Sequence, residues 1–289
     1  MSAVKGPMSS TDDSSGRASG IFLGYLATEL KSFIPNVGNL FDALDVVDGE
    51  VFRQVESRRT FRFSISSNLY FAKLHFGVGW REIIKNLLQF KRPVIGAQNE
   101  YDALLLLENA GVPVPKIVGF ASEGRNPATR RSCIVTKSLI NTLSLEDCCR
   151  QELVTPSIKY RLIVRVAQLT RQMHEAGVNH RDCYICHFHL QLDEPDKSQP
   201  TLFVIDLHRA QIREHTPLRW RVKDVGSLLF SAIEENAISR NDFFRFMEAY
   251  SGKPLRETIL EDSLFWMKVM IRARKLYLKK NRKLPSLLM

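Results

Sequence analysis

The sequence lacks a long apolar run, a secretory signal and an even set of cysteines, and each absence excludes a class of protein. No segment of the 289 residues approaches the roughly 18 uninterrupted apolar residues of a membrane span, which argues against an integral membrane protein. Residues 1–19 offer neither a basic start nor an apolar core, so we expect a disordered leader and a cytoplasmic protein. The five cysteines fit free thiols in a reducing compartment.

Acidic residues are absent from the C-terminal segment. Residues 265–289 contain eight Lys or Arg, which leaves only +2 of the formal net charge of +10 for the rest of the chain. A nucleic-acid enzyme usually spreads positive charge over its main domain, so this distribution disfavours nucleic acid and favours an anionic membrane surface or a phosphorylated substrate. Residues 263–289 predict a basic amphipathic helix and tail, held partly against the preceding domain and partly toward anionic lipid. A solvated helix packed only on its own domain is the alternative.

The composition is otherwise that of a globular protein, with 44% hydrophobic and 25% charged residues, and the length suggests two lobes. Residues 20–46 form an N-terminal extension whose role the pattern does not indicate. A smaller lobe is expected at 47–139, because alternating and apolar runs predict strands around an apolar helical face at 97–111. A larger lobe at 140–262 reads as helical apart from one hairpin. The sequence therefore predicts an α+β fold, with a small β-rich N-terminal lobe containing one helix and a larger helical C-terminal lobe.

The densest chemistry lies in the loop at 179–187, which reads NHRDCYICH. Its Cys183-x-x-Cys186-His187 pattern matches c-type haem attachment, which requires export, while a closed zinc site usually needs a second ligand pair that does not follow here. Small buried cysteines are the simplest reading. The loop also resembles the catalytic loop of kinases, in which Asp182 would accept the proton of the acceptor hydroxyl. The fifth residue after this Asp binds metal in kinases, and here it is His187 instead of Asn.

Three further polar residues match the remaining parts of a kinase site. Asp206 ends an apolar strand across a hairpin from the loop, where a second carboxylate would bind Mg²⁺. Glu100 lies on the apolar face of its predicted helix and needs a cationic partner, while Lys73 lies within an apolar strand and needs an anionic one. In a kinase such a Lys and Glu pair with each other, and the Lys contacts the nucleotide phosphates. An ordinary structural salt bridge would explain either residue alone.

Glycine is missing from 51–63, so no Gly-rich loop can place backbone amides over the phosphates. Arg58 and Arg59, between Ser57 and Thr60, are expected to contact the phosphates with their side chains instead. A basic hairpin turn facing solvent is the alternative reading.

The segment from Asp206 to Asp224 is too short for a peptide-binding platform and has no Ala-Pro-Glu element, which favours a small-molecule acceptor. It is also strongly basic, which suits an acceptor that is itself anionic. The acceptor-binding candidates are Arg209, Arg213, Arg219 and Arg221.

Several motifs together resemble one family. These motifs are Val178–Phe188, Val204–Gln211, Gly77–Leu88, Arg58–Thr60 and Arg219–Arg221. Over about 47–250 the chain resembles the lipopolysaccharide core heptose kinases, the RfaP or WaaP family. The family pattern itself has His at position 187.

The resemblance implies a bilobal protein-kinase-like fold and transfer of the ATP γ-phosphate to heptose I of the lipopolysaccharide inner core in a Gram-negative cell. It implies Asp182 as general base with Arg181 beside it, Asp206 and His187 as ligands of ATP-bound Mg²⁺, and Lys73 with Glu100 at the phosphates. The implied partners are the lipid A-core glycolipid and the anionic cytoplasmic face of the inner membrane, where the protein would be peripheral. Some family members also associate with acyl carrier protein.

Other functions stay open at this point. A kinase of the same fold could act on another core sugar such as Kdo, or on protein tyrosine. A catalytically inactive binding module or a zinc protein is the alternative from a different class.

Overall fold

Two lobes make up the computed structural model, which describes residues 22–89, 93–194, 200–281 and 284–288. The leader expected at 1–19 lies outside the described residues. No helix in the described part of the chain combines the length and the apolar character needed to cross a membrane.

The N-terminal lobe is built on a six-stranded antiparallel sheet in the order β1-β5-β6-β4-β3-β2. Its strands are β1 (Phe22–Leu26), β2 (Glu50–Val55), β3 (Arg58–Ile65), β4 (Asn68–His75), β5 (Ile117–Glu123) and β6 (Arg131–Lys137). The extension whose role the sequence left unassigned belongs to this lobe, because β1 pairs with β5 and the side chains of Leu30, Ile34 and Leu40 are fully buried against the sheet.

Three helices accompany this sheet in the described part of the lobe: α1 (Leu40–Asp45), α2 (Gly79–Leu88) and α3 (Gln98–Asn109). The one helix expected from the sequence is α3; α1 and α2 are additional. Of these, α1 covers the outer face of the sheet and α3 covers the inner face. The inner face looks toward the second lobe and forms the roof of a cleft.

Side chains alternate between the two faces along each strand. On β3, Phe61 and Phe63 enter the outer core, so Arg58 and Thr60 lie on the cleft side. The β3–β4 register pairs Thr60 with Lys73 and Arg58 with His75, which brings all four side chains to the same face.

The C-terminal lobe is mainly helical, as expected. Its elements are β7 (Thr142–Ser144), α4 (Leu145–Arg150), α5 (Pro156–Glu175), β8 (Val178–Asn179), β9 (Phe188–Gln191), β10 (Leu202–Val204), β11 (Gln211–Ile212), α6 (Leu218–Glu234), α7 (Arg240–Ser251), α8 (Leu255–Glu261) and α9 (Ser263–Lys280). The short strands pair as β10-β9-β7 and β11-β8. They position the 179–187 loop and Asp206 below the cleft, on a support formed by α5, α6, α7 and α9.

Gly177 shapes the entry to the loop. It follows the end of α5 with φ +79°, and a Cβ at this position would lie 1.9 Å from the carbonyl oxygen of Arg213. Glycine is therefore required both for the backbone conformation and for the close approach of β8 to β11.

Candidate active site

Lys73 joins the two lobes at the centre of the cleft. From β4 its Nζ lies 2.7 Å from Glu100 Oε1 on α3 and 3.0 Å from Asp206 Oδ1, which follows β10 in the other lobe. The Lys73 and Glu100 side chains are 12% and 6% exposed, so their ion pair is almost closed to solvent, whereas Asp206 is 33% exposed and faces the cleft. Lys73 and Glu100, each of which was expected to need a partner of opposite charge, thus pair with each other, and Asp206 is a third member of the group.

Electrostatics keeps Lys73 and Asp206 charged. Burial alone would lower the pKa of Lys73, but the charges of Glu100 and Asp206 outweigh it and raise that pKa. Burial would likewise raise the pKa of Asp206, but a hydrogen bond from His208 and the charge of Lys73 hold it well below its ordinary value. An ionised carboxylate beside a charged ammonium is suited to binding a phosphate with its counter-cation.

The carboxylate of Asp182 is held by an arginine. Arg209 Nη1 donates hydrogen bonds to both Asp182 oxygens, at 2.8 and 3.0 Å. The Arg209 side chain is 43% exposed, so the pair lies at the open side of the cleft. An incoming hydroxyl must therefore compete with Arg209 for the lone pairs of Asp182.

The backbone before Asp182 is anchored by a residue that the sequence analysis did not single out. Asp224, completely buried on α6, accepts hydrogen bonds from the backbone N–H of His180 (2.6 Å) and Arg181 (2.9 Å). Arg181 adopts φ +72°, a left-handed conformation that needs such support. The sequence does contain a signal that could have identified Asp224: it is a carboxylate within the apolar stripe of α6, between Val222 and Val225.

His187 links the two aspartates. Its Nδ1 donates to the carbonyl oxygen of Asp182 at 2.7 Å, which leaves the Nε2 lone pair 3.7 Å from Asp206 Oδ2. A cation could bind both atoms, with ATP oxygens as further ligands, as is usual for Mg²⁺ in kinases. Within the described residues, no three His, Cys, Asp or Glu side chains form a metal site by themselves.

The cleft face of β3 and β4 carries groups suited to a nucleotide. Arg58 is half-buried. Burial and the charge of Arg53 lower the pKa of its guanidinium, and the carboxylates of Asp206 and Glu100 partly oppose this. Thr60 Oγ1, His75 Nε2 and Glu100 Oε2 are buried polar atoms without a hydrogen-bond partner among the described residues. Buried polar groups are rarely left unpaired, so these atoms fit a bound polar ligand such as ATP.

Arg59 does not face the cleft, contrary to the expectation from the sequence. Because it lies on the opposite side of β3 from Arg58, its guanidinium donates to the carbonyl oxygens of Asp45 and Val47 at 2.9 Å and covers the Phe61 ring at 4.3 Å. It fastens the loop before β2 to the sheet.

The four acceptor-binding candidates lie in different surroundings. Arg209 binds Asp182, as above, and Arg213 donates to Asn179 Oδ1 at 2.6 Å. Arg219 is exposed, 5.1 Å from the centre of the Trp220 ring. Arg221, also expected to bind the acceptor, turns inward instead: its Nε donates to the Tyr250 hydroxyl at 3.0 Å.

The cysteines of the loop are structural in character. Cys183 is fully buried in the C-terminal core, and burial raises the pKa of its thiol well above its ordinary value. Burial likewise raises the pKa of Cys186 to about 11. Neither thiol is poised to ionise near neutral pH.

Comparison with known proteins decides the family. The model of the lipopolysaccharide kinase (Kdo/WaaP) family matches residues 42–250. The chain belongs to this family. The match spans the Lys73–Glu100–Asp206 triad and the 179–187 loop, and it confirms the resemblance found in the sequence motifs.

Relatives within the Kdo/WaaP family are similar over most of their length. The lipopolysaccharide core heptose(I) kinase WaaP of Escherichia coli K12 is 47% identical over 232 residues, which cover 78% of this chain and 87% of that protein. The heptose(I) kinase WaaP of Pseudomonas aeruginosa is 44% identical over 248 residues, covering 84% and 91%. A 3-deoxy-D-manno-octulosonic acid kinase of Vibrio parahaemolyticus is more distant, at 29% identity over 47% of this chain and 52% of its own.

A solved structure gives the same fold assignment. The structure titled WaaP in complex with acyl carrier protein superposes with a TM-score of 0.74 at 36% identity, covering 88% of this chain and 99% of that one. The α+β fold with a β-rich first lobe and a helical second lobe is therefore confirmed.

Proposed function

We propose that this protein transfers the γ-phosphoryl group of ATP to a hydroxyl of heptose I in the lipopolysaccharide inner core. The observation that carries the proposal is Lys73 in contact with both Glu100 and Asp206, in a chain that is 44 to 47% identical to heptose(I) kinases. The triad supplies the phosphate contact, and the 179–187 loop supplies the base.

Each side chain has a role that follows from its position. Lys73 and Arg58 hold the ATP phosphates, with the Thr60 hydroxyl beside them. Asp182 accepts the proton of the acceptor hydroxyl as its oxygen forms a bond to the γ-phosphorus, while the bond to the β–γ bridging oxygen breaks and ADP leaves. Arg181 contributes through its backbone, which fixes the position of Asp182.

Asp206 and Nε2 of His187 would hold the Mg²⁺ that accompanies ATP. The ion supplies neutralisation of the negative charge on the phosphates. A carboxylate is the preferred kind of ligand for this ion, while an imidazole is a less usual one, so Asp206 is the principal ligand.

The acceptor in this proposal is the lipid A-core glycolipid at the cytoplasmic face of the inner membrane of a Gram-negative cell. Its anionic groups suit the basic segment that contains Arg209, Arg213 and Arg219. A glycolipid acceptor requires the protein to work at a membrane surface, and the cationic residues 265–289 favour anionic lipid. The protein is accordingly peripheral to that membrane.

Acyl carrier protein is a second proposed partner. The support is the structural similarity to WaaP in complex with that protein. The C-terminal lobe here also contains an apolar cavity of about 90 Å³, lined by side chains that include Leu162, Leu228 and Phe243. Its apolar lining suits part of an acyl chain. Calorimetry should give tighter binding of acylated than of unacylated carrier protein. Equal affinities would show that the cavity does not bind the acyl chain of this partner.

Transfer of radiolabelled phosphate from ATP to defined acceptors tests the function. We expect label in core glycolipid that contains heptose I, and none in glycolipid that ends at Kdo or in a tyrosine peptide. Hydrolysis of the labelled product and analysis of its sugars then identifies the phosphorylated residue. Label on Kdo or on the peptide would contradict the proposal.

A further inference from the structure

A second apolar stripe runs along the outer face of α9. Four of its large apolar side chains, about half exposed, are Leu264, Met267, Ile271 and Leu278. At 3.6 residues per turn they fall within about 60° of one another around the helix axis. A different apolar stripe of α9, formed by Phe265, Trp266, Val269 and Ala273, is buried. The helix is thus apolar on two opposite faces.

The inner face accounts for the packing of α9 on the lobe. The helix lies along α6 in parallel, with Arg221 over the Phe265 ring near one end (5.1 Å) and Lys280 paired with Glu234 at the other. Gly226 allows this close approach, because a Cβ there would lie 2.6 Å from the side chain of Arg272. Since this contact is complete without the outer stripe, the fold of the described residues does not explain the exposed apolar side chains.

Cations border the outer stripe on both sides. Arg274 lies on one side and Lys268, Lys275 and Lys279 lie on the other, and all four are exposed. None of them forms a salt bridge among the described residues, whereas Lys280 does. No acidic residue occurs in α9. An apolar strip bordered by three exposed cations on one side and one on the other is complementary to a surface with anionic headgroups above an apolar interior.

We propose that the outer face of α9 lies flat in an anionic phospholipid bilayer, with its apolar stripe inserted at the level of the headgroups. The inference rests on the proposed function to the extent that the acceptor is a membrane glycolipid. The stripe spans 15 residues, or about 21 Å of helix, which is enough to fix the orientation of the lobe on the surface.

This orientation brings the start of α6, with the acceptor-binding candidate Arg219, toward the membrane. Because α6 and α9 run in parallel, the first turn of α9 lies at the same end as the first turn of α6, where Arg219 and Trp220 are found. Arg213, Arg219 and Lys223 surround the Trp220 ring, at 5.3, 5.1 and 4.1 Å from its centre. A glycolipid anchored beside α9 would thus first meet the cations around Trp220.

Vesicle flotation of the full chain tests the proposal. We expect binding to vesicles of phosphatidylcholine and phosphatidylglycerol, reduced but not abolished by high salt. The double variant Met267→Gln/Ile271→Gln should bind about tenfold more weakly, because two side chains lose their insertion into the bilayer. The matched control is Ile140→Gln/Leu153→Gln, which changes two equally exposed apolar residues elsewhere and should bind like the wild type.

Three outcomes would overturn the proposal. Unchanged vesicle binding of the Met267/Ile271 variant would exclude insertion, and complete loss of wild-type binding at high salt would leave only an electrostatic contact. If the Met267/Ile271 variant keeps vesicle binding but differs from the wild type in oligomeric mass, or loses acyl carrier protein binding, the stripe contacts a protein partner instead.

Activity on a delipidated, heptose-containing core oligosaccharide keeps this test separate from that of the function. The Met267/Ile271 variant should phosphorylate that soluble acceptor as well as the wild type does. If the wild type itself fails on every acceptor, the proposed function fails and the vesicle result still decides the membrane inference.

Discussion

Asp224→Asn tests how the 179–187 loop is held. The native carboxylate is completely buried and accepts two backbone hydrogen bonds, at 2.6 and 2.9 Å. An asparagine can accept only one of them with its oxygen, and its amide nitrogen would face the other N–H. The lost charge-assisted bond is worth about 1.5–3 kcal/mol, and the stranded donor adds about 1–3 kcal/mol. Removal of a buried charge offsets part of this, so we expect the free energy of unfolding to fall by about 2–4 kcal/mol.

Activity should fall more than stability explains. Without the anchor, Arg181 has no support for its left-handed conformation, and a displacement of Asp182 by about 1 Å would lower kcat roughly a hundredfold. The matched control is Asp242→Asn, which removes a buried carboxylate that accepts the backbone N–H of Ser239 at 2.9 Å on α7, away from the loop. Urea unfolding and steady-state kinetics are measured for both variants. Comparable stability losses with kcat unchanged in both would refute the positioning role of Asp224.

Three further variants probe the cleft. Arg58→Gln should raise the KM for ATP about tenfold, while Arg59→Gln, on the other face of β3, should lower stability by about 1–2 kcal/mol and leave that KM unchanged; equal KM values would contradict the assignment. Burial and the nearby Arg58 lower the pKa of His75 to about 3, so the unfolded chain gains a proton below pH 6.5 that the folded chain does not, and stability is lost as the pH falls from 6.5 toward 3. His75→Gln should flatten this slope in urea unfolding, and the exposed His215→Gln should not. Arg209→Gln should raise the KM for the glycolipid acceptor and leave the KM for ATP unchanged. A change confined to the KM for ATP would contradict a role of Arg209 in acceptor binding.

The Lys73–Glu100–Asp206 triad could be predicted from sequence because each of its members breaks a local pattern. Lys73 interrupts an apolar strand, Glu100 interrupts an apolar helical face, and Asp206 ends a buried strand. A charge in such a place needs a partner, and the structure supplies it within 3.0 Å. The position of Arg59 was also readable in principle, since Phe61 on the same face of the strand enters the core.

Long-range pairing was beyond the reach of local patterns. The strand β1 pairs with β5 although about 90 residues separate them in the chain, and nothing in Phe22–Leu26 indicates that partner. The role of Asp224 likewise depends on the path of a loop more than 40 residues earlier. Only the assembled fold reveals such contacts, because they join segments that do not influence each other locally.

The most direct test of the central claim is the rate of γ-phosphate transfer from ATP to heptose-containing core glycolipid by Asp182→Asn. The variant keeps the shape of the side chain and removes the carboxylate that takes the proton. The exposed Asp193→Asn in the hairpin is the matched control. We predict loss of turnover with unchanged stability and ATP affinity for Asp182→Asn, and wild-type turnover for Asp193→Asn. Substantial residual transfer by Asp182→Asn would contradict the assignment of Asp182 as the base.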